Sequence, residues 1–248
     1  MPHNPTLGRV LGVIPARLAS TRLPRKVLLP LAGEPLLHWV YQAALACPAL
    51  DQIVIAADSE EVMRLCHDRH WPAILTSPNL PSGTDRLHAV SQSIPADIYI
   101  NIQGDEPLLH PSHIDDLLRP FALPGVDVTT LKVPCTPENI ANPNAVKVVT
   151  AADGRALYFS RSPIPYDRDQ TGHARHWKHL GLYAYRQAAL ERFAHLPPGE
   201  LEQTERLEQL RLLENNLTLY VSETQHDTIG VDTAEDLNRV EALLRLEP

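Results

Sequence analysis

The stretch VLGVIPARLASTRLPRK, from Val10 to Lys26, sets the reading of the chain. Its first five residues, Val10-Leu11-Gly12-Val13-Ile14, make a short, apolar, β-branched run. Such a run fits a strand buried on both faces of a mostly parallel sheet. Pro15 brings no N–H to a ladder, so the strand is expected to end there. Three cations, Arg17, Arg22 and Lys26, then stand among the small residues Ala16, Ala19, Ser20 and Thr21, with Pro24 among them. Small side chains let the backbone come close to a ligand, and successive N–H groups in such a turn form an anion-binding concavity. Guanidinium forks and an ammonium point charge both suit phosphate oxygens. In an open α/β sheet this loop also lies outside the carboxyl ends of the strands, where ligands bind. Charge alone leaves two readings open, a triphosphate cradle or a solvated basic loop. The stretch is neither a Walker A motif nor a GxGxxG fingerprint, since Gly12 is its only glycine.

The 248 residues suffice for one large α/β domain, and 44% hydrophobic content can fill a core. A net charge of −8 argues against nucleic-acid binding through bulk positive charge, so the basic loop reads as a local anion site. The three cysteines, Cys47, Cys66 and Cys135, are widely spaced without a CxxC pair. That pattern fits buried thiols in a reducing cytoplasm. No apolar run approaches the roughly 20 residues that cross a bilayer. Met1 to Pro5 lacks the charged-then-apolar pattern of a secretory signal.

Outward from the first loop, strands and helices alternate. Pro35 opens a helix to about Ala46, Gln52 to Ala57 reads as a second strand, and Asp58 with Glu61 offers a capping box for a helix to about His70. Ala73 to Leu75 is a third strand. The turn-rich loop from Thr76 to Thr84 follows, then a helix from Asp85 to about Ser93 capped by Ser82. Ile98 to Gln103 is the central strand, and Gly104-Asp105-Glu106-Pro107 follows it at once. Two carboxylates directly after a buried strand are costly unless water, a cation or a metal meets them. A helix over residues 111–118 and a strand over 126–133 complete this half. In the second half, strands over 146–150 and 156–160 flank an Asp153-Gly154 turn. A polar loop from Arg161 to Trp177 precedes a strand over 178–185 and a helix over 187–195. An amphipathic helix over 204–214 places Leu207, Leu210 and Leu213 at three-residue steps. A strand over 217–221 and a last helix over 234–246, capped by Thr233 and Asp236, end the chain. One α/β domain over 1–248 is expected, a mixed sheet flanked by helices with an antiparallel insertion.

These pieces resemble the 3-deoxy-manno-octulosonate (KDO) cytidylyltransferases, or CMP-KDO synthetases, from Val13 to about Leu244. The resemblance is carried by IPARLASTRLPRK, SGTDRL at Ser82, NIQGDEP at Asn101, NPNAVKVV at Asn142, ALYFSRSPIP at Ala156, KHLGLYAYR at Lys178, LEQLRLLE at Leu207 and GVDTAEDL at Gly230. It implies a nucleotide-diphospho-sugar transferase-like, Rossmann-like fold, Mg²⁺ dependence, a homodimer, a cytoplasmic enzyme and a role in lipopolysaccharide synthesis. The implied partners are the small molecules CTP and KDO, with no nucleic acid and no membrane. By the match, Arg17, Lys26, Asp105 and Asp232 carry the chemistry, the two aspartates as magnesium ligands. Ala16, Arg17, Ser20, Arg22, Lys26, Leu75, Thr76, Ser82 and Gly83 bind the nucleotide. Gln103, Arg161, His179, Tyr183, Glu208 and Gln209 face the sugar acid, with the Arg161 fork suited to its carboxylate. Glu106 would support the metal site from behind.

Many members carry an arginine where this chain has Ser77, so backbone contacts are the expected means of reading cytosine. The variable loop over 167–177 carries no assigned role, and His173 and His176 within it read as surface residues. Three alternatives stand beside this reading. The first is a related sugar acid, an amino-substituted KDO or a sialic acid. The second is a non-catalytic nucleotide-binding module, which the retained acidic motifs and Lys26 disfavour. The third is an NAD-dependent oxidoreductase, which the missing GxGxxG disfavours.

Overall fold

The strand that opens the chain, β1 (Val10–Ala16), is buried along its whole length. Each fully buried Val, Leu or Ile contributes about 1.5–3 kcal/mol relative to exposure, so this segment anchors the fold. A computed structural model describes residues 7–19 and 23–245. The chain groups into two units, Met1–Ile114 with Thr228–Pro248, and Asp115–Asp227. The second unit is a continuous segment of sequence between the two parts of the first.

In the first unit a single 3-10 turn over Lys26–Leu28 leads to a small hairpin of β2 (Pro30–Leu31) and β3 (Glu34–Pro35). Then come α1 (Leu36–Leu45), β4 (Gln52–Ala57), α2 (Glu60–Asp68), β5 (Ala73–Leu75), α3 (Gly83–Ser91), β6 (Ile98–Asn101) and α4 (Pro111–Leu118), the last running into the second unit. Strands β6, β1, β4 and β5 lie side by side in that order, all parallel. The loops that follow these strands therefore share one sheet edge.

Pro15 does not end β1, which runs on to Ala16 in register with Ala57. The Val13 carbonyl accepts from the Ile102 N–H at 2.9 Å, so Val13 faces β6, and Pro15, two residues on, faces the same way. Because β6 stops at Asn101, no ladder remains there to need the donor that proline lacks. Gly104 comes so close to this spot that a Cβ would collide with the Pro15 carbonyl oxygen. The expected Asp58–Glu61 box is also corrected. Ser59 caps α2, its hydroxyl accepting from the Val62 N–H at 3.3 Å, while Asp58 is buried and serves another purpose. Ser82 and Asp85 do form a capping box, with α3 starting at Gly83.

The second unit comprises β7 (Val128–Pro134), α5 (Pro137–Ala141), β8 (Lys147–Thr150), β9 (Ala156–Ser160), β10 (Trp177–Arg186), α6 (Gln187–Ala194), α7 (Glu200–Glu205), α8 (Leu210–Glu214) and β11 (Leu219–Glu223). β10 runs antiparallel to β7 and β8, and β8 and β9 form the expected hairpin. β11 adds to β7 in parallel. The single helix expected over 204–214 is instead two. Arg206 takes a left-handed conformation (φ 56°) that ends α7, Leu207 turns inward, and the buried leucines are 207, 210 and 212. Arg211 joins the two helices by donating from Nε and Nη2 to the Glu202 carboxylate at 2.7 and 2.5 Å.

The chain then returns to the first unit as α9 (Ala234–Leu244), capped by Thr233 and Asp236 as expected. Val231 and Val240 pack with Leu31 and Leu36, all fully buried. Cys47 and Cys66 are buried thiols that form no disulfide, and burial pushes the Cys66 thiol up to about 11. Cys135 is half-buried and also forms no disulfide.

Gly104→Ala is expected to destabilise the protein by about 1–3 kcal/mol, the usual cost of overpacking, because the obstacle is backbone and cannot rotate aside. Urea unfolding would measure it, and unchanged stability would show that the turn after β6 can yield.

Candidate active site

Asp105 and Asp232 lie far apart in sequence, and a backbone hydrogen bond brings them together. The Val231 N–H donates to the Asp105 carbonyl at 2.9 Å. Val231 is fully buried against α9 and the β2–β3 hairpin, which fixes the approach of its neighbour Asp232. Asp236 adds a second tie, accepting from the N–H groups of Asp232 and Thr233 at 3.1 and 2.9 Å. Asp105 comes from the turn after β6, whose tightness Gly104 permits.

Between the two carboxylates sits the Lys26 ammonium. It donates to Asp105 Oδ2 in a short contact and to Asp232 Oδ1 at 2.9 Å. Burial alone would draw this ammonium below the ordinary lysine range. The charges and hydrogen bonds of Asp105 and Asp232 together outweigh it and hold Lys26 above that range. Lys26 is therefore a fixed positive charge at neutral pH. Arg25 prepares it by adopting a left-handed conformation (φ 58°) just before the 3-10 turn. The Arg25 N–H closes the loop on the Leu18 carbonyl at 3.1 Å, and its guanidinium pairs with Glu61.

These three side chains line a cleft of about 370 Å³, together with Pro15, Arg17, Ala19, Val27, Gly83, Gln103 and Gly104. Arg17 is exposed there, and its Nη1 donates to the Pro81 carbonyl at 3.2 Å. Asp58, read from the sequence only as a helix cap, shapes the same loop, its two oxygens accepting from the Leu18 N–H at 3.2 and 3.1 Å. The signal was present, since Asp58 follows β4 directly, as Asp105 follows β6 closely. Ala16 is the buried last residue of β1, while Leu75 and Thr76 join β5 to the following loop, Thr76 buried and Leu75 exposed. Ser20 and Arg22 lie outside the described residues. Among the described residues no three His, Cys, Asp or Glu side chains gather as a metal cage.

Arg161, His179, Tyr183, Glu208 and Gln209 belong to the second unit. Arg161 is tightly held: Nε donates to the Glu205 carbonyl at 2.8 Å, Nη1 to Pro143 at 2.9 Å and Nη2 to Arg206 at 3.3 Å. The Glu205 carboxylate accepts from the Ser160 hydroxyl at 2.6 Å and the Arg161 N–H at 3.0 Å, so it clamps the end of β9. Glu205 was not foreseen, because its partners depend on the break at Arg206. His179 is buried against Phe159 and Tyr183, with ring centroids 5.0 and 5.4 Å away. The Thr130 hydroxyl is 3.0 Å from His179 Nε2 and 2.8 Å from the Leu182 carbonyl. A hydroxyl has one proton, and the carbonyl can only accept it, so the network assigns the proton of the neutral ring to Nε2. Glu208 and Gln209 lie in the turn between α7 and α8, not on a continuous helix, and Gln209 is buried.

A family model described as cytidylyltransferase matches residues 11–223. The 3-deoxy-manno-octulosonate cytidylyltransferase of Acidobacterium capsulatum is 65% identical over 235 residues, covering 95% of this chain and 96% of the relative. That of Koribacter versatilis is 55% identical, covering 96% and 90%. Among solved structures, a CMP:2-keto-3-deoxy-manno-octonic acid synthetase complexed with CTP superposes with a TM-score of 0.92 at 41% identity, over 97% of this chain and all of that one. A cytidylyltransferase of Leptospira borgpetersenii, 14% identical with a TM-score of 0.66, covers 97% of this chain and 88% of its own and shares the fold.

Burial holds His179 down to about 3, far below an ordinary histidine. The unfolded chain takes up a proton below about pH 6.5 that the folded chain refuses. Stability from this residue is thus complete above about pH 6.5 and falls as the pH drops toward 3, by up to about 1.4 kcal/mol per pH unit. Urea unfolding between pH 7 and 4 should show a shallower acid limb for His179→Gln than for the wild type. Identical limbs would mean that His179 does not stay neutral in the fold.

Proposed function

The chain belongs to the 3-deoxy-manno-octulosonate cytidylyltransferase family, and we propose that it transfers CMP from CTP to the anomeric 2-hydroxyl of KDO, releasing pyrophosphate. The observation that carries this reading is the convergence of Lys26, Asp105 and Asp232 on one cleft lined by Arg17, in a chain 65% identical to a named family member. In the reaction the 2-hydroxyl oxygen forms a bond to the α-phosphorus. The bond from that phosphorus to the bridging oxygen breaks, pyrophosphate leaves, and the hydroxyl proton is lost. Such chemistry consists mostly of positioning and charge neutralisation.

Each residue has a part in that. Arg17 and Lys26 offer cationic donors to phosphate oxygens at the mouth of β1. Ala16, Thr76, Ser82 and Gly83 supply backbone and hydroxyl groups around the nucleotide. Asp105 and Asp232 present hard oxygen donors about the Lys26 ammonium, a donor set that suits Mg²⁺. This ion is commonly held by one or two carboxylates, with substrate phosphates and waters completing the shell. When bound, Mg²⁺ would neutralise phosphate charge and make the attacking hydroxyl more acidic. The partial exposure of both carboxylates, 28% and 41%, leaves room for such a shell.

For the sugar acid we propose Gln103, Arg161, His179, Tyr183, Glu208 and Gln209. A guanidinium has five N–H donors, and Arg161 gives three to carbonyls. Two are left for an anionic oxygen, and the three fixed ones hold the fork still. Supply of CMP-KDO for lipopolysaccharide, a homodimeric assembly and a cytoplasmic setting rest on the family resemblance. No helix of the described residues is long and apolar enough to cross a membrane.

Pyrophosphate release should be followed with CTP and Mg²⁺, offering KDO, its 8-amino analogue and a sialic acid in parallel. Release with KDO is expected. Release with another acid alone would redirect the substrate, and none from a chain that binds CTP would point to a non-catalytic module. Asp105→Ala should fold yet lose turnover by about a hundredfold or more, the scale seen when one key electrostatic group is removed. Near-normal turnover would remove Asp105 from the reaction.

A further inference from the structure

Arg86 is the largest fully buried side chain of the described residues, at 0% exposure, and no step above uses it. It lies on α3 three positions after Gly83, so the two share a helix face, and Gly83 lines the cleft. Its Nη1 donates to the Thr76 hydroxyl at 2.7 Å and to the Ser77 carbonyl at 2.9 Å. Among the described residues its Nε and Nη2 make no hydrogen bond, although both are buried. Nor does it form an ion pair within 4 Å there, because the nearby Asp58 oxygens are turned to the Leu18 N–H. Burial draws Arg86 below the usual arginine range; the charges of Asp58 and Asp85 oppose that pull, and the Arg17 charge adds to it.

For stability alone this is a poor arrangement. A buried charge with most of its donors unmet is costly, and an apolar residue of similar volume often serves a core better. What the guanidinium does achieve is local and specific. Thr76 is already anchored to the end of β4, its N–H and hydroxyl both donating to the Ala57 carbonyl at 2.8 Å. Arg86 extends that anchor one residue outward, to the carbonyl of exposed Ser77. The loop then turns on Ser77, whose hydroxyl and carbonyl accept from Asn79 and Leu80 at 3.3 and 3.4 Å. At its far end Arg17 holds Pro81 and the Ser82–Asp85 box fixes the entry to α3. Arg86 thereby holds from beneath a loop that has no cationic side chain of its own between Thr76 and Ser82.

We infer that Arg86 is a positioning residue for nucleotide recognition, which presets the backbone of Thr76 and Ser77 so that the loop binds the cytosine of CTP and rejects uracil. The inference rests on the proposed function. It deepens that function by assigning base selectivity to a residue that need not touch the base. A preset loop needs less ordering when the nucleotide arrives, so losing the anchor weakens binding even when the fold survives.

The experiment compares the wild type with Arg86→Met by calorimetric titration of CTP, UTP and inorganic triphosphate, with melting curves alongside. Arg86→Met should bind CTP at least about tenfold more weakly and discriminate less against UTP. Its affinity for triphosphate should fall much less, because the phosphate loop is also held by Asp58 and Arg25 through contacts that Arg86 does not make. A folded Arg86→Met that binds CTP like the wild type would overturn the inference. So would a loss shared equally by CTP and triphosphate, which would mark a general structural role. Should Arg86→Met fail to fold, Thr76→Val and Thr76→Ser carry the test. Thr76→Val removes the acceptor and should lose CTP affinity, while Thr76→Ser keeps the hydroxyl and should restore it. Equal affinity for all three Thr76 forms would overturn the inference. A wild type that binds no CTP would overturn the proposed function and this inference with it, whereas a wild type that binds CTP confines any failure to Arg86.

Discussion

Two carboxylates that share a partly buried cleft repel each other unless water, a proton or a cation offsets the repulsion, and much of the first unit serves to supply a cation. Asp105 and Asp232 face the same ammonium, that of Lys26. At 4 Å two like charges repel by about 4 kcal/mol in the effective dielectric of a protein surface, enough to matter against a total stability of about 5–15 kcal/mol. The aspartates stay together because each is fixed through its backbone. Asp105 is held by the Gly104 turn and by the Val231 N–H, and Asp232 by the capping box of α9. Lys26 is fixed in turn by the left-handed Arg25 and the 3-10 turn. The side chains therefore meet in a geometry that the backbone has set.

The same arrangement explains how a protein of net charge −8 can keep an anion site. Lys26 is balanced by its aspartates, while Arg17 stands exposed with one terminal nitrogen on Pro81. Local field, not net charge, decides what enters a cleft lined on one side by such donors. Asp58 contributes without lining the cleft. By taking the Leu18 N–H it orients the backbone at the start of the loop, and its charge also acts on Arg86. The loop after β1 and the loop after β5 thus share a buried electrostatic base.

Much of this was legible in the sequence because it depends on short-range rules. The β-branched run at Val10, the acidic pair after β6 and the boxes Ser82–Asp85 and Thr233–Asp236 are read from neighbours a few positions away, and all four are present. Misreadings came where a distant element decides. Pro15 belongs to β1 only because β6 has already ended beside it. Asp58 looked like a helix cap because Glu61 follows at the right spacing, yet Ser59 takes that task and frees Asp58 for Leu18. The break at Arg206 has no glycine to mark it, so leucine spacing implied one helix where there are two. No local pattern could reveal that Val231 binds Asp105.

The two halves of the proposed chemistry differ in kind, and this shows in how their residues are held. The nucleotide side needs charge, and charge leaves a dense signature in sequence. The residues proposed for the sugar side are instead built into a packed frame. Arg161 gives three donors to carbonyls of three different residues, and Glu205 ties the Ser160 hydroxyl to the Arg161 N–H. His179 is kept neutral by burial, with its Nε2 proton committed to Thr130. A neutral, oriented imidazole can select a hydroxyl by direction without attracting anions at large. A mobile cationic site there would bind phosphate as readily as a sugar acid. Rigid, partly satisfied groups are therefore what discrimination among similar sugar acids requires, because a site built around fixed polar partners is left unpaired by the wrong ligand.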